Sequence, residues 1–334
     1  MIHQDLEGNF IDSDNNIVFF SYKYFLEHII EHKACFICGA TRGSKEFNDE
    51  HVIPNWIIKK YNLKDESITL LNGQKIKYTR YKIPCCVQCN GKLSAYYENP
   101  ISSFFNKSYV ERIKILHSDK EFEQKLFQWL ALIFCKTHIF DTQMNFIPNR
   151  TIESPTISSL YDWRNFHIVH SIARNMSTNL IINEKYSTCL IFESAVNHER
   201  YFNYDYLDNN MTMSVLLRVG DMTIIASFLD FCIGHNDIDD SILGRLRKPL
   251  DMFQSIEIYS RIIYSLCSKS IKKRFTLSKD NNVYLLKGDI LSIREQDGVK
   301  FEDIFLYYLE PRLDSLENPE EYKRKIKNEK YSFL

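Results

Sequence analysis

The sequence predicts an α+β fold, and three stretches carry that expectation. EFEQKLFQWLALIFCKTHIF (Glu121 to Phe140) repeats Phe122, Leu126, Trp129, Leu130, Ile133 and Phe134 at helical spacing, the mark of a buried helix. MTMSVLLRV and MTIIASFLDF are apolar runs separated by Gly220 and Asp221 alone, which predicts an antiparallel hairpin. Between residues 35 and 89, two C-x-x-C pairs enclose short strand-like and helix-like pieces.

Taken in order, the chain falls into three zones. Residues 1–33 form a lead-in that ends in the helix-like SYKYFLEHIIEH. Residues 34–110 hold the cysteine pairs. Within them, ITLL and KIKYT flank Asn72-Gly73, a dipeptide that predicts a type I′ hairpin turn. The same zone closes on a predicted helix over CNGKLSAYYENPISSFF. Residues 111–334 read as a mixed α+β domain without repeats. SIEIYSRIIYSLC and FEDIFLYYL are helical there, and EEYKRKIKNEK is a polar helix or a frayed end. In FHIVH, His167 and His170 have no cysteine or acid at a familiar ligand distance and read as core or interface residues. Asp239 or Asp240 in NDIDDS is expected to cap a helix. Cys135, Cys189, Cys232 and Cys267 stand in apolar surroundings and read as buried small hydrophobes.

Composition narrows the classes. The chain has 334 residues, of which 44% are hydrophobic and 14% aromatic, as folded proteins require. WLALIF (Trp129 to Phe134) is too short to cross a bilayer, so no membrane partner is expected. The opening MIHQDLEGNF lacks a basic and an apolar export region, which predicts a cytoplasmic protein. A formal net charge of −1 excludes a chain basic all over, but not an enzyme with a local basic patch. GQKIKYTRYK supplies such a patch in Lys75, Lys77, Arg80 and Lys82, interleaved with Tyr78 and Tyr81. Two readings of it stand side by side: a hairpin edge guarded by solvated lysines, and a phosphate contact.

Five of the nine cysteines crowd into Cys35 to Cys89, and in a chain without an export signal that favours metal over disulfides. Two C-x-x-C turns, Cys35/Cys38 and Cys86/Cys89, supply the four thiolates of a tetrahedral structural zinc site. Cys85 competes with Cys86, but only Cys86 keeps the two-residue gap to Cys89.

Between the pairs lies Glu50-His51-Val52-Ile53-Pro54, and Asn90 follows the second pair directly. The order C-x-x-C, [D/E]-H-[V/I]-I-P, C-x-x-C-N and then a helix resembles the zinc-bound form of the HNH, or ββα-metal, endonuclease family. The resemblance covers residues 34–110, and each of its pieces is weak alone. It implies a phosphodiester hydrolase acting on nucleic acid, DNA in the first instance. His51 would be the general base, since its ordinary pKa lies near neutrality. Glu50 and Asn90 would hold a hard divalent ion, Mg²⁺ or Mn²⁺, that absorbs charge on the scissile phosphate. Lys92, on the first turn of the helix, would join Lys75, Lys77, Arg80 and Lys82 as a nucleic-acid contact. Glu98, two turns beyond Asn90, reads more readily as a helix-surface carboxylate than as a further ligand. Neighbours on a strand point to opposite faces, so Glu50 and His51 reach one phosphate only where the strand curls.

The sequence departs from the family in one place. The family's central asparagine, which pins the loop bearing the histidine, is replaced here by Arg80-Tyr81-Lys82-Ile83-Pro84, and Arg80 is the residue expected to take over the pinning. That loss is what a catalytically inert zinc module, binding DNA or a protein partner, would show. Residues 111–334 are expected to target, regulate or bind a sensor partner. An anti-phage (antiviral) defence effector and a mobile-element nuclease are both compatible with this, as is a homo-oligomer.

Overall fold

The fold is a mixture of helix and strand, as the α+β expectation requires. The computed structural model describes residues 3–149, 153–178, 180–182, 187–196, 203–238, 240–244, 246, 249–280, 283–313, 319–328 and 332–334. The chain divides into two compact units: Met1–Ile182 with Leu277–Leu286, and Asn183–Thr276 with Lys287–Leu334.

In the first unit, β1 (His3–Gln4), β2 (Phe10–Ile11) and β3 (Ile17–Phe19) make a small antiparallel sheet. The Ser21 hydroxyl then caps α1 (Tyr22–Tyr24), which continues as a π-helix over Phe25–Glu31. β4 (Phe47–His51) pairs antiparallel with β7 (Lys82–Cys86), from Phe47↔Cys86 to His51↔Lys82 without a shift of register. The connection between them carries α2 (Asn55–Lys60) and a hairpin of β5 (Ser67–Thr69) and β6 (Lys75–Lys77). β7 runs straight into α3 (Val87–Leu93), which extends through a π-helical turn, Ser94–Glu98, into α4 (Asn99–Phe104).

The β5–β6 turn is not the predicted type I′. That type needs positive φ at both central residues, and of Asn72 and Gly73 only Gly73 has it, at +77°. Leu70 and Gln74 pair through a 2.8 Å backbone bond and enclose a three-residue loop with one left-handed glycine. Asn72 instead uses its side chain, accepting from Gln74 N at 3.0 Å and donating to Asn145 O at 2.8 Å.

Next come α5 (Tyr109–Ser118), with a Ser108/Glu111 capping box, and α6 (Lys120–Phe140), capped by Asp119. From Gln128 to Phe140 every residue of α6 is buried, so this part of the helix is covered all round. Its coverings include α7 (Trp163–Ala173) and the cysteine-bearing segment. For that reason the boundary expected near residue 110 falls inside a unit, and the division comes after Ile182. β8 (Leu180–Ile182) ends this stretch.

The second unit centres on a four-stranded antiparallel sheet in the order β10-β11-β12-β9, from β9 (Thr188–Glu193), β10 (Tyr204–Asn209), β11 (Ser214–Val219) and β12 (Met222–Ser227). β11 and β12 form the predicted hairpin about Gly220-Asp221 and are buried at every position. α8 (Ile233–Asp237) and α9 (Asp240–Leu243) follow; Asp240 opens α9, and Asp239 lies outside the described residues. α10 (Met252–Cys267) packs Ile256, Ile262 and Ile263 into a core shared with Leu216, Ile225 and Leu309 of the sheet and of α11 (Phe301–Leu313). The charged tail forms α12 (Pro319–Asn328). The long strands β13 (Lys269–Asp280) and β14 (Val283–Glu295) are neighbours in a further sheet; their Leu277–Leu286 portion belongs to the first unit, where Tyr284–Leu286 pairs in parallel with β8.

Of the four cysteines expected to be buried, Cys135 is. Cys232 and Cys267 are half-buried, and Cys189 is exposed on β9, an edge strand whose alternation turns that position outward.

Candidate functional site

The cysteine end of the β4–β7 pair is built from two turns. In the first, Gly39 N donates to Cys35 O and Cys35 N to Ala40 O, both at 2.8 Å. Gly39 sits at φ +74°, and a Cβ there would lie 2.9 Å from the Tyr24 hydroxyl, so only glycine fits without displacement. In the second, Cys86 is the N-cap of α3 and its sulfur accepts from Cys89 N. The Sγ atoms of Cys35, Cys38, Cys86 and Cys89 all lie within 4.8 Å of one another, and Cys38 to Cys86 is 3.8 Å. A Zn–S bond of about 2.3 Å in tetrahedral geometry puts sulfurs about 3.8 Å apart. Four such cysteines can hold a metal, and the spacing is compatible with structural zinc. Cys85 lies outside the set, although its sulfur is 3.9 Å from that of Cys35.

Cations surround these sulfurs. Lys45 Nζ approaches Cys38 Sγ at 3.7 Å. Arg174, buried at the end of α7, donates to Ile37 O and Ile17 O and lies over the Phe20 ring at 3.8 Å. Burial pushes its pKa down to about 10, against the pull of Cys38, Cys89 and Cys35, so it keeps its proton at neutral pH. Zinc with four thiolates carries a net charge of about −2, which these two cations would offset. His170 bonds Phe36 O within the first turn, and His167 bonds Phe20 O at 2.9 Å. Both are core residues that grip backbone.

The other end of the pair carries Glu50 and His51. The unshifted register keeps strict alternation through both, so their side chains leave opposite faces of β4. The curl that would bring them together does not occur within the strand. Asn48 shares a face with Glu50, and its Oδ1 accepts from Asn90 Nδ2 at 2.9 Å, so this face looks onto the first turns of α3. Glu50 is 9% exposed, and its Oε1 takes Lys136 Nζ at 2.9 Å. The same ammonium donates to His51 O at 2.7 Å. His51 is half-buried. Burial first, then the Lys82 charge opposite, lowers its imidazole pKa, and Glu50 opposes the shift. The ring is therefore neutral at pH 7, the state a proton acceptor needs.

Glu98 is not a surface carboxylate. Its two oxygens accept from the indoles of Trp56 at 3.0 Å and Trp129 at 3.1 Å, and desolvation raises its pKa although Lys136 pulls it down. Arg80 is exposed and does not pin the histidine loop. Val52 N donates to Tyr81 O at 2.9 Å, and Lys136 supplies the rest. Lys75, Lys77 and Lys92 are exposed, Lys82 is half-buried opposite His51, and Lys77 lies 3.9 Å from Asp65.

Lys136 is the residue that sequence reasoning missed. Its signal was a lone lysine in the otherwise apolar face pattern of α6. Compared with family models, with curated proteins and with solved structures, the chain matches none.

Proposed function

We propose that the first unit is a metal-dependent endonuclease of the HNH type that hydrolyses phosphodiester bonds in DNA, stapled by zinc on its four cysteines. The observation that carries this reading is the Asn90–Asn48 bond. It places the residue after the second C-x-x-C against the strand face that holds Glu50, in the order strand, strand, helix. Oε1 of Glu50 is committed to Lys136, and Nδ2 of Asn90 to Asn48. Oε2 of Glu50 and Oδ1 of Asn90 are the hard oxygens that would hold Mg²⁺ or Mn²⁺. Such an ion supplies charge stabilisation at the scissile phosphate. His51, its pKa lowered by burial, would take the proton of the attacking water, which in this reading requires the end of β4 to curl so that the ring comes round to the Glu50 face. Lys82 beside it, with Lys75, Lys77, Arg80 and Lys92, gives the phosphodiester backbone a cationic approach.

One base and one divalent ion make one centre per chain, so a single copy nicks, and double-strand cleavage takes two copies or two visits. The second unit would serve target choice, restraint or partner binding, and defence and mobile-element roles both fit such an arrangement.

A second reading has its own observation. Glu50 is closed off by a buried lysine, and His51 leaves the opposite strand face, as in a zinc module that binds without cutting. Plasmid nicking with Mg²⁺ or Mn²⁺ separates the two, run beside His51→Ala of equal zinc content. Cleavage by the parent and none by the variant is the expected result. Equal cleavage by both sinks the assignment of His51, and no cleavage by either favours the binding module.

A further inference from the structure

We propose that Lys136 is a positioning residue that fixes the His51–Val52 peptide, and so the direction of the His51 side chain, from a helix outside the cysteine-bounded segment. The consequence for catalysis rests on the nuclease reading above; the contact does not.

Lys136 is fully buried, at 0% exposure, in the C-terminal half of α6. A lysine there loses its hydration and persists only where partners replace it. Its Nζ has two: Glu50 Oε1 at 2.9 Å and His51 O at 2.7 Å. The second bond closes on a peptide already held on its other side, since Val52 N donates to Tyr81 O at 2.9 Å. Both polar atoms of the His51–Val52 peptide are thus tied, one to β7's entry and one to α6. This is where β4 ends and the chain bends through Val52 and Ile53 to Pro54, which caps α2. Without the ammonium, the carbonyl could turn about the end of the strand, and the imidazole would lose its fixed direction. Glu50 supplies the partner carboxylate that a buried lysine requires.

A purely space-filling lysine would behave differently, and the test uses that. Hydrogen–deuterium exchange on the full chain, with zinc content measured, compares the parent with Lys136→Met, Lys136→Arg and the double variant Lys136→Met/Glu50→Gln. The double variant removes the carboxylate that Lys136→Met strands, so one of the two remains measurable if the other fails to fold. Exchange of the Val52 amide and of the 47–54 segment should rise on the order of tenfold to a hundredfold. Residues 120–140 and both cysteine turns should exchange as in the parent, and Lys136→Arg should recover part of the protection.

In nicking assays Lys136→Met should lower kcat with KM unchanged, and Lys136→Arg should restore part of it. Localised exchange with a parent that cuts nothing keeps the pin and removes the nuclease reading. Exchange at 47–54 equal to the parent's, or raised evenly across the first unit, overturns the proposal whatever the cleavage result.

Discussion

The two ends of the β4–β7 pair bury charge in different ways. At the Phe47↔Cys86 end, four sulfurs from two local turns converge on one point, and Lys45 and Arg174 stand around them. At the His51↔Lys82 end the pair closes on a single backbone bond, Val52 N to Tyr81 O. A carboxylate and a carbonyl wait for a lysine 86 and 85 residues further on. Both ends also draw on helices outside the cysteine-bounded segment: His170 and Arg174 hold Phe36 O and Ile37 O of the first turn, and Lys136 of α6 holds Glu50 and His51 O. The difference is that all four sulfurs come from the motif itself, whereas the group that holds the histidine end comes from α6.

Removing the staple should have the largest effect. Cys86→Ser, or prolonged chelation of the parent, should release the metal and unfold the cysteine turns, with a loss of several kcal/mol. Metal analysis paired with thermal melting checks this, and an undiminished melting temperature in the metal-free protein would contradict a zinc staple. The closure at the other end comes next. Glu50→Leu alone strands a buried ammonium and should cost about 3–5 kcal/mol in urea unfolding, whereas Glu50→Leu with Lys136→Met should recover most of that. Additive losses would mean that the pair is not a unit.

Acid sharpens the comparison from the α7 side. His167 is held neutral, its pKa pushed down to about 4 by burial, while the unfolded chain takes up the proton near pH 6.5. A base with a depressed folded pKa costs stability as pH falls, so the loss begins below about pH 6.5 and levels off below about pH 4. Between pH 7 and pH 5 His167 should account for about 2 kcal/mol. His167→Gln, which can still donate to Phe20 O, should lose less over that range; the metal's own acid sensitivity is common to both proteins. Equal losses would remove His167 from the account. The smallest effect belongs to the basic hairpin. Lys77→Ala should change stability by less than about 0.5 kcal/mol, since its 3.9 Å pairing with Asp65 is solvated. It should lower the salt dependence of DNA binding by about one phosphate contact if the hairpin meets the backbone.

What could be read from the sequence was what depends on near neighbours. Periodicity marked α6 and α10, the Gly220-Asp221 turn marked β11–β12, and doubled C-x-x-C spacing selected the four sulfurs over Cys85. What escaped depends on distant partners. Lys136 looks like any lysine until its part of the helix is seen to be covered all round. Glu98 looked solvated because the two indoles that bond it come from α2 and α6. Asn72-Gly73 signals a turn, but its type follows from the Asn72 side chain reaching Asn145. Cys189 is apolar in its sequence context and faces outward because β9 is an edge strand.

The all-round burial of α6 from Gln128 to Phe140 bears on grafting. A cassette cut from Cys35 to Phe104 would carry the sulfur cluster and the Glu50-His51 pair into a new host, but would leave behind Lys136, Trp129, His170 and Arg174. The recipient would inherit a carboxylate and a strand end with no counterpart. A domain swap should therefore carry α6 and α7 with the motif, and one that extends through β8 should also carry Leu277–Leu286, which pairs with it.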